Sequence, residues 1–187
     1  MRDRPARLRW PAVSSPAERL EPQNALLSVS PDDFRAAMSR WASGVSVVTA
    51  EGPDGPVGMT CSSFSSVSLA PPLVLVCIAR DAGSHDPLVV APAFAVHLLE
   101  EGQRDVSERF ARPSADRFHE LEVERGPLGA PLLHVGLARL ACVRHDTADG
   151  GDHTILVGRV VQVDVRHGEP LLYYRGAYRG LSATDAT

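Results

Sequence analysis

The chain is punctuated by short apolar runs rich in β-branched residues. Residues 45–50 (VSVVTA), 73–79 (LVLVCIA) and 94–99 (FAVHLL) read as strands bounded by turn formers. The cluster Gly52-Pro53-Asp54-Gly55-Pro56 turns the first of these into a second strand over residues 58–65. Downstream, residues 139–147 and 153–166 form a hairpin about Asp149-Gly150-Gly151-Asp152. His167-Gly168-Glu169-Pro170 makes the next turn, and residues 171–175 the last strand.

Helical spacing is confined to three places. Ser30 suits an N-cap, Pro31 the first helical position, and Asp32 and Asp33 the positive end of the dipole. Phe34, Ala37, Met38 and Trp41 then fall on one stripe, expected to face the core, with Gly44 ending the helix. Ser84 could cap a short helix over residues 85–90, and residues 104–111 form another with Val106 and Phe110 on one side. Six or seven strands with few helices predict a mainly β fold: a closed or nearly closed antiparallel barrel, because closure removes exposed edges. No βα alternation and no G-x-G-x-x-G motif supports a dinucleotide fold of the Rossmann type.

One stretch breaks the apolar pattern. Residues 58–73 (GMTCSSFSSVSLAPPL) hold six serine or threonine residues and a double proline, between two core strands. Such residues also fill exposed strand faces and turns. Small hydroxyls with open backbone nevertheless suit a flat ligand with a polar edge, so function is sought here first.

Composition narrows the partners. With 187 residues the chain is long enough for one domain with a sizeable core, taken as residues 30–187, preceded by a disordered extension over residues 1–29. That extension is rich in arginine and proline and has no apolar core of a secretory signal. A net charge of −4 points to neither nucleic acid nor membrane, and no apolar run is long enough to span a bilayer. The basic residues are all arginine, so any phosphate is held by arginine, hydroxyls and backbone N–H groups. Cys61, Cys77 and Cys142 are widely spaced, with no C-x-x-C pair; they read as buried free thiols of a cytoplasmic protein, with no zinc site.

Four candidate constellations remain. Asp152-His153 opens a hairpin strand, where a histidine can bind a ligand or simply tie down its turn. Arg80 and Ser84 follow a core strand and open a helix, an arrangement suited to a phosphate monoester or to an ordinary solvated cap. Ser107 near Glu108, and His97 near Glu100, lack the third partner of a hydrolase. Tyr173, Tyr174 and Tyr178 form an aromatic end that can stack on a planar ring or pack an interface.

Taken together, Met59-Thr60-Cys61-Ser62-Ser63-Phe64, the S-V-S-L-A-P-P-L-V run from Ser66 to Val74, Gly151-Asp152-His153 and the terminal Y-Y-R-G-A-Y resemble the short-chain flavin reductases. These are the reductase components of two-component flavin-dependent monooxygenases. The resemblance runs from about Phe34 to Leu181. Ser62 stands where the family often has asparagine, and Ala70 where it often has aspartate. The resemblance implies a split β-barrel homodimer that binds FMN or FAD, is reduced by NADH or NADPH, and serves a partner oxygenase. It implies flavin contacts from Met59, Thr60, Cys61, Ser62, Ser63, Ser66, Val67, Ser68 and Tyr178. Given a flavin, the guanidinium of Arg80 and the cap position of Ser84, after a core strand in a chain without lysine, are expected to hold its phosphate. His153 is implied beside the nicotinamide. Hydride transfer needs no protein acid or base, only stacking at near-attack distance, which fits the lack of a conventional catalytic set. The competing expectation is a flavin-binding module without reductase turnover, or one acting on another acceptor.

Overall fold

The computed structural model describes residues 29–114 and 116–181; the extension expected over residues 1–29 lies almost wholly outside the described residues. The chain divides into two units, Met1–Met38 and Ser39–Thr187. In the first, helix α1 (Pro31–Met38) starts as its sequence predicts: the Asp33 N–H donates to Ser30 Oγ at 3.1 Å. It ends one turn early. No residue of α1 is buried, so Phe34, Ala37 and Met38 form no buried stripe. Trp41 lies beyond the helix and is 76% exposed. Gly44 is not the helix terminus; it pairs with Leu172 in a strand.

In the second unit, the strands are β1 (Ser43–Gly44), β2 (Ser46–Gly52), β3 (Gly55–Cys61), β4 (Ser65–Leu69), β5 (Pro72–Ala79), β6 (Ala93–Leu98), β7 (Val123–Arg125), β8 (Pro131–Leu133), β9 (Ala138–Gly150), β10 (His153–Val165), β11 (Leu172–Tyr174) and β12 (Ala177–Arg179). Among the described residues it also holds two α-helices, α2 (His85–Val90) and α3 (Arg104–Ala111), and a short 3₁₀ helix (Pro127–Gly129). Five strands go beyond expectation: the short β1, β7 and β8, and two more. β4 is a separate strand within the serine-rich segment, and β12 follows the strand expected to be last, folding back on β11.

Seven strands form one antiparallel sheet in the order β3-β2-β6-β9-β10-β5-β4. Its two edge strands are consecutive in the chain. From Cys61 to Ser65 the backbone can span at most about 14 Å. Seven strands laid flat would hold their edges about 29 Å apart. The sheet must therefore roll until β3 and β4 nearly meet. The ladder does not close: β3 and β4 share no register. The nearly closed, split barrel expected from the sequence is what forms, and the seam falls at residues 62–64.

Rolling places β2 in the middle of the packing. Val48 joins an inner cluster with Val74, Val76, Ile78, Phe94 and Leu156. Val47 faces the other way, toward Val106, Phe110, Leu133 and Leu171. Ser46 to Ala50 are consequently all buried. The β9–β10 turn is Gly151-Asp152, closed by the Gly150–His153 pair. Gly151 has φ +79°, a left-handed conformation that glycine adopts without steric cost. This turn sets where His153 begins β10.

Candidate active site

The end of β3 and the seam form one wall of a cavity of about 370 Å³. Met59, Thr60, Cys61, Ser62 and Ser63 line it. His153 and Tyr178 line it too, from elements about ninety residues or more downstream. His153 gets there through register: it pairs with Ala79 across the β5–β10 ladder, and Ala79 is itself on the wall.

The seam is stitched by a side chain. The Cys77 N–H donates to Ser63 Oγ at 2.9 Å, and that hydroxyl donates to the Cys77 carbonyl at 3.0 Å. Ser63 thus does for β5 what a strand residue would do. Its hydroxyl is committed to the fold, leaving its small volume and backbone to a ligand. On the other side of β3, Ser46 Oγ donates to the Cys61 carbonyl at 3.0 Å. Burial pushes the Cys61 thiol up, so it stays protonated near neutrality.

The opposite wall is α3 with the β11–β12 hairpin. Thr60 Oγ1 donates to the Ser107 carbonyl at 2.6 Å, fastening α3 to β3. The fully buried Ser107 hydroxyl lies 2.9 Å from the Tyr178 hydroxyl. The Tyr178 ring meets Tyr173 edge-on at 5.4 Å, and Arg104 sits over it at 5.1 Å. Cys77, expected only as a buried thiol, is on the wall, and so are Ser107 and Tyr173, which the sequence offers only as a neighbour of Glu108 and as part of an aromatic end. Ser107 carries no local signal, because only tertiary packing turns it toward Tyr178. Its sequence neighbour Glu108 points elsewhere and pairs with Arg104 at 2.7 Å. His97 is a core residue, not an acid–base partner of Glu100.

His153 holds its ring by Nδ1, 2.7 Å from Asp152 Oδ1. With Nδ1–H donating to the carboxylate, Nε2 is the nitrogen left for a ligand. The same hydrogen bond holds the Asp152 carboxyl below its usual range.

Other expected residues lie apart from this cavity. Ser66, Val67 and Ser68 are on β4, whose pairing with β5 runs from Leu75 toward Pro72, away from Cys77 and Ala79. Arg80 is turned to the β9–β10 turn: Nε donates to the Gly151 carbonyl at 3.1 Å and Nη2 to Asp149 at 2.9 Å. Ser84 precedes α2, but its side chain makes no cap. Its hydroxyl donates to the Gly58 carbonyl at 3.3 Å and accepts from Arg117 Nη1 at 3.1 Å.

The residues present fit a flavin. β3 is an edge strand, so every second residue turns its N–H and C=O away from β2. That edge matches the donors and acceptors along one side of an isoalloxazine. Ser62 and Ser63 leave room for close approach, and the tyrosine pair offers an aromatic face.

Comparison with known proteins agrees. Residues 38–182 match the family model described as flavin reductase like domain. FMN reductase (NADH) SmoA of Agrobacterium fabrum is 43% identical over 145 residues, covering 78% of this chain and 83% of that protein. The stachydrine N-demethylase reductase subunit Stc3 of Rhizobium meliloti is 42% identical over 149 residues; these are 79% of this chain but only 65% of Stc3. Among solved structures, the Streptomyces globisporus NADH:FAD oxidoreductase SgcE6, in complex with NAD and FAD fragments, superposes with a TM-score of 0.78 at 41% identity. The match covers 86% of this chain and 99% of that one. The superposition shows that this chain and SgcE6 share one fold, and the chain belongs to the flavin reductase-like family.

Proposed function

We propose that the protein is an NAD(P)H:flavin oxidoreductase that reduces FMN or FAD and passes reduced flavin to a flavin-dependent oxygenase. The observation that carries this reading is the meeting, in one cavity, of the open β3 edge with His153 and Tyr178. When bound, the flavin supplies the two-electron acceptor for a hydride from NADH or NADPH. The chain's own work is placement. Residues 59–63 receive the polar edge of the ring, and their backbone donors favour the negative charge that reduction brings. Tyr178, held by Ser107, closes the far side. His153, held by Asp152, orients the nicotinamide and donates no obligatory proton.

Mixing the protein with NADH or NADPH and with FMN or FAD under anaerobic conditions tests this directly. Loss of the oxidised flavin absorbance, faster than without protein, is expected. Flavin binding without such reduction would leave only a binding module.

The reading extends to a cytoplasmic homodimer. Val161, Val163 and Val165 are exposed in alternation along one face of β10, a continuous apolar strip suited to a second copy. The three cysteines are free thiols, as a reducing compartment favours. No helix among the described residues is long and apolar enough to cross a membrane. Sedimentation that returns a species of 20.1 kDa would reject the dimer.

A further inference from the structure

A buried histidine outside the cavity grips the strand that carries His153. His85 opens α2, is 8% exposed and does not line the cavity. Its Nε2 lies 2.8 Å from Thr154 Oγ1, and its Nδ1 lies 2.7 Å from Asp86 Oδ1. The Asp86 carboxylate accepts, so Nδ1 carries a proton. Nε2 of the neutral ring then accepts from the Thr154 hydroxyl. In a charged ring Nε2 donates to the same oxygen, so the link survives in either form.

Thr154 follows His153 directly, and neighbours along a strand point to opposite faces. Thr154, 6% exposed, turns inward to His85, while His153 turns outward to the cavity. The ladder is thin at this point. His153 and Thr154 pair with Ala79 and Ile78 on one side, and with Gly150 and Asp149 on the other. β5 stops at Ala79 and β9 at Gly150, so three strand ends coincide where His153 must be placed. Strand ends open more readily than strand middles. A side-chain bond from a separate element supplies what the ladder lacks there. α2 is anchored for this work. Leu88, one turn beyond His85, is wholly buried in the inner cluster, and the preceding Ser84 hydroxyl donates to the Gly58 carbonyl of β3 at 3.3 Å.

We infer that His85, acting through Thr154, is a positioning residue for His153 and hence for the pyridine nucleotide. This rests on the proposed place of His153 beside the nicotinamide. Hydride transfer is sensitive to such placement, because a misplacement of about 1 Å can cost about 100-fold in rate.

Thr154→Val removes the hydroxyl and keeps the branched shape, whereas Thr154→Ser keeps the hydroxyl. His85→Leu removes the other end of the bond. Each variant is made in the wild-type chain and in His153→Ala. Steady-state kinetics with NADH and NADPH are run beside a flavin titration, and melting curves establish that each variant is folded at the assay temperature. Thr154→Val and His85→Leu are expected to raise the KM about 3- to 10-fold, within the scale of one hydrogen bond, with flavin affinity retained. Thr154→Ser stays near wild type. In the His153→Ala chain, Thr154→Val changes the KM no further, because the side chain it positions is gone; general damage to the fold would instead add. If His85→Leu does not fold, the two threonine variants decide. An unchanged KM in Thr154→Val overturns the inference, as does the same rise in the His153→Ala chain or an equal loss of flavin affinity. His153→Ala with a wild-type KM rejects the reading of His153 and the inference together. A raised KM in His153→Ala beside a wild-type KM in Thr154→Val rejects the inference alone.

Discussion

Arg80 Nη2 lies 2.9 Å from Asp149 Oδ1, joining the end of β5 to the tip of the β9–β10 hairpin. Two more bonds reinforce the junction: Arg80 Nε to the Gly151 carbonyl at 3.1 Å, and the Arg80 N–H to the Asp152 carbonyl at 3.0 Å. Together they hold the turn from which His153 enters the cavity. The ion pair itself is about half exposed and contributes at most about 1 kcal/mol. Its effect is on geometry.

Arg80→Ala should accordingly leave thermal stability nearly unchanged and loosen His153. The expected result is a several-fold higher KM for NADH or NADPH, with the affinity for flavin retained. Steady-state kinetics beside a flavin titration checks this. A drop in flavin affinity equal to the rise in KM would place Arg80 on the flavin after all.

His153→Ala should raise the KM for the pyridine nucleotide and slow hydride transfer, with flavin affinity nearly intact. If His153 serves only the turn, the variant instead melts earlier and keeps its reductase kinetics. Stopped-flow reduction of flavin-loaded protein, run beside a melting curve, separates these outcomes.

Ser107→Ala and Tyr178→Phe remove the two ends of one hydrogen bond. Each should cost about 1 kcal/mol of stability, and the double variant little more than either alone. Urea unfolding of the four proteins measures the coupling. Strict additivity would mean that the 2.9 Å contact does not join α3 to the β11–β12 hairpin energetically.

His97 predicts an acid limit. Its Nδ1–H donates to the Val47 carbonyl at 3.1 Å, and Nε2 accepts from the Leu133 N–H at 2.9 Å, so the buried ring is held neutral. Burial lowers its pKa from 6.5 to about 4. Below pH 6.5 the unfolded chain takes up a proton that the folded one refuses until about pH 4. Stability from this group is therefore complete above 6.5 and falls with pH across that window, by about 3 kcal/mol in all. Urea unfolding at about pH 7.5 and pH 5, with the His97 ring followed by NMR, tests it. A ring that titrates near 6.5 in the folded protein would overturn it.

Much of the frame around the cavity is legible in the order of residues. β3 and its serine-rich extension announce themselves by a polar run between two apolar strands. The Gly150-Gly151-Asp152 turn places His153 at a strand start because a two-residue hairpin turn needs a left-handed residue, here Gly151. α3 spans the expected residues 104–111, and Val106 and Phe110 share its buried side. These are local constraints, and the order of residues carries them.

What the sequence alone determined, then, is the strands, their turns and the polar stretch at the seam. Tertiary structure decided the rest. Whether the barrel closes depends on edges joined by only three residues, and Ser63 bonds across that gap without forming a ladder. The partner of Ser107 is 71 residues away, and that of Arg80 is 69. Arg117 sits in a loop with no motif, and its contacts with the Gly58 carbonyl and the Ser84 hydroxyl, 59 and 33 residues away, exist only in the folded chain. Hydrogen bonds and ion pairs act over a few ångströms of space, so contacts this distant along the chain leave no periodic trace in the order of residues.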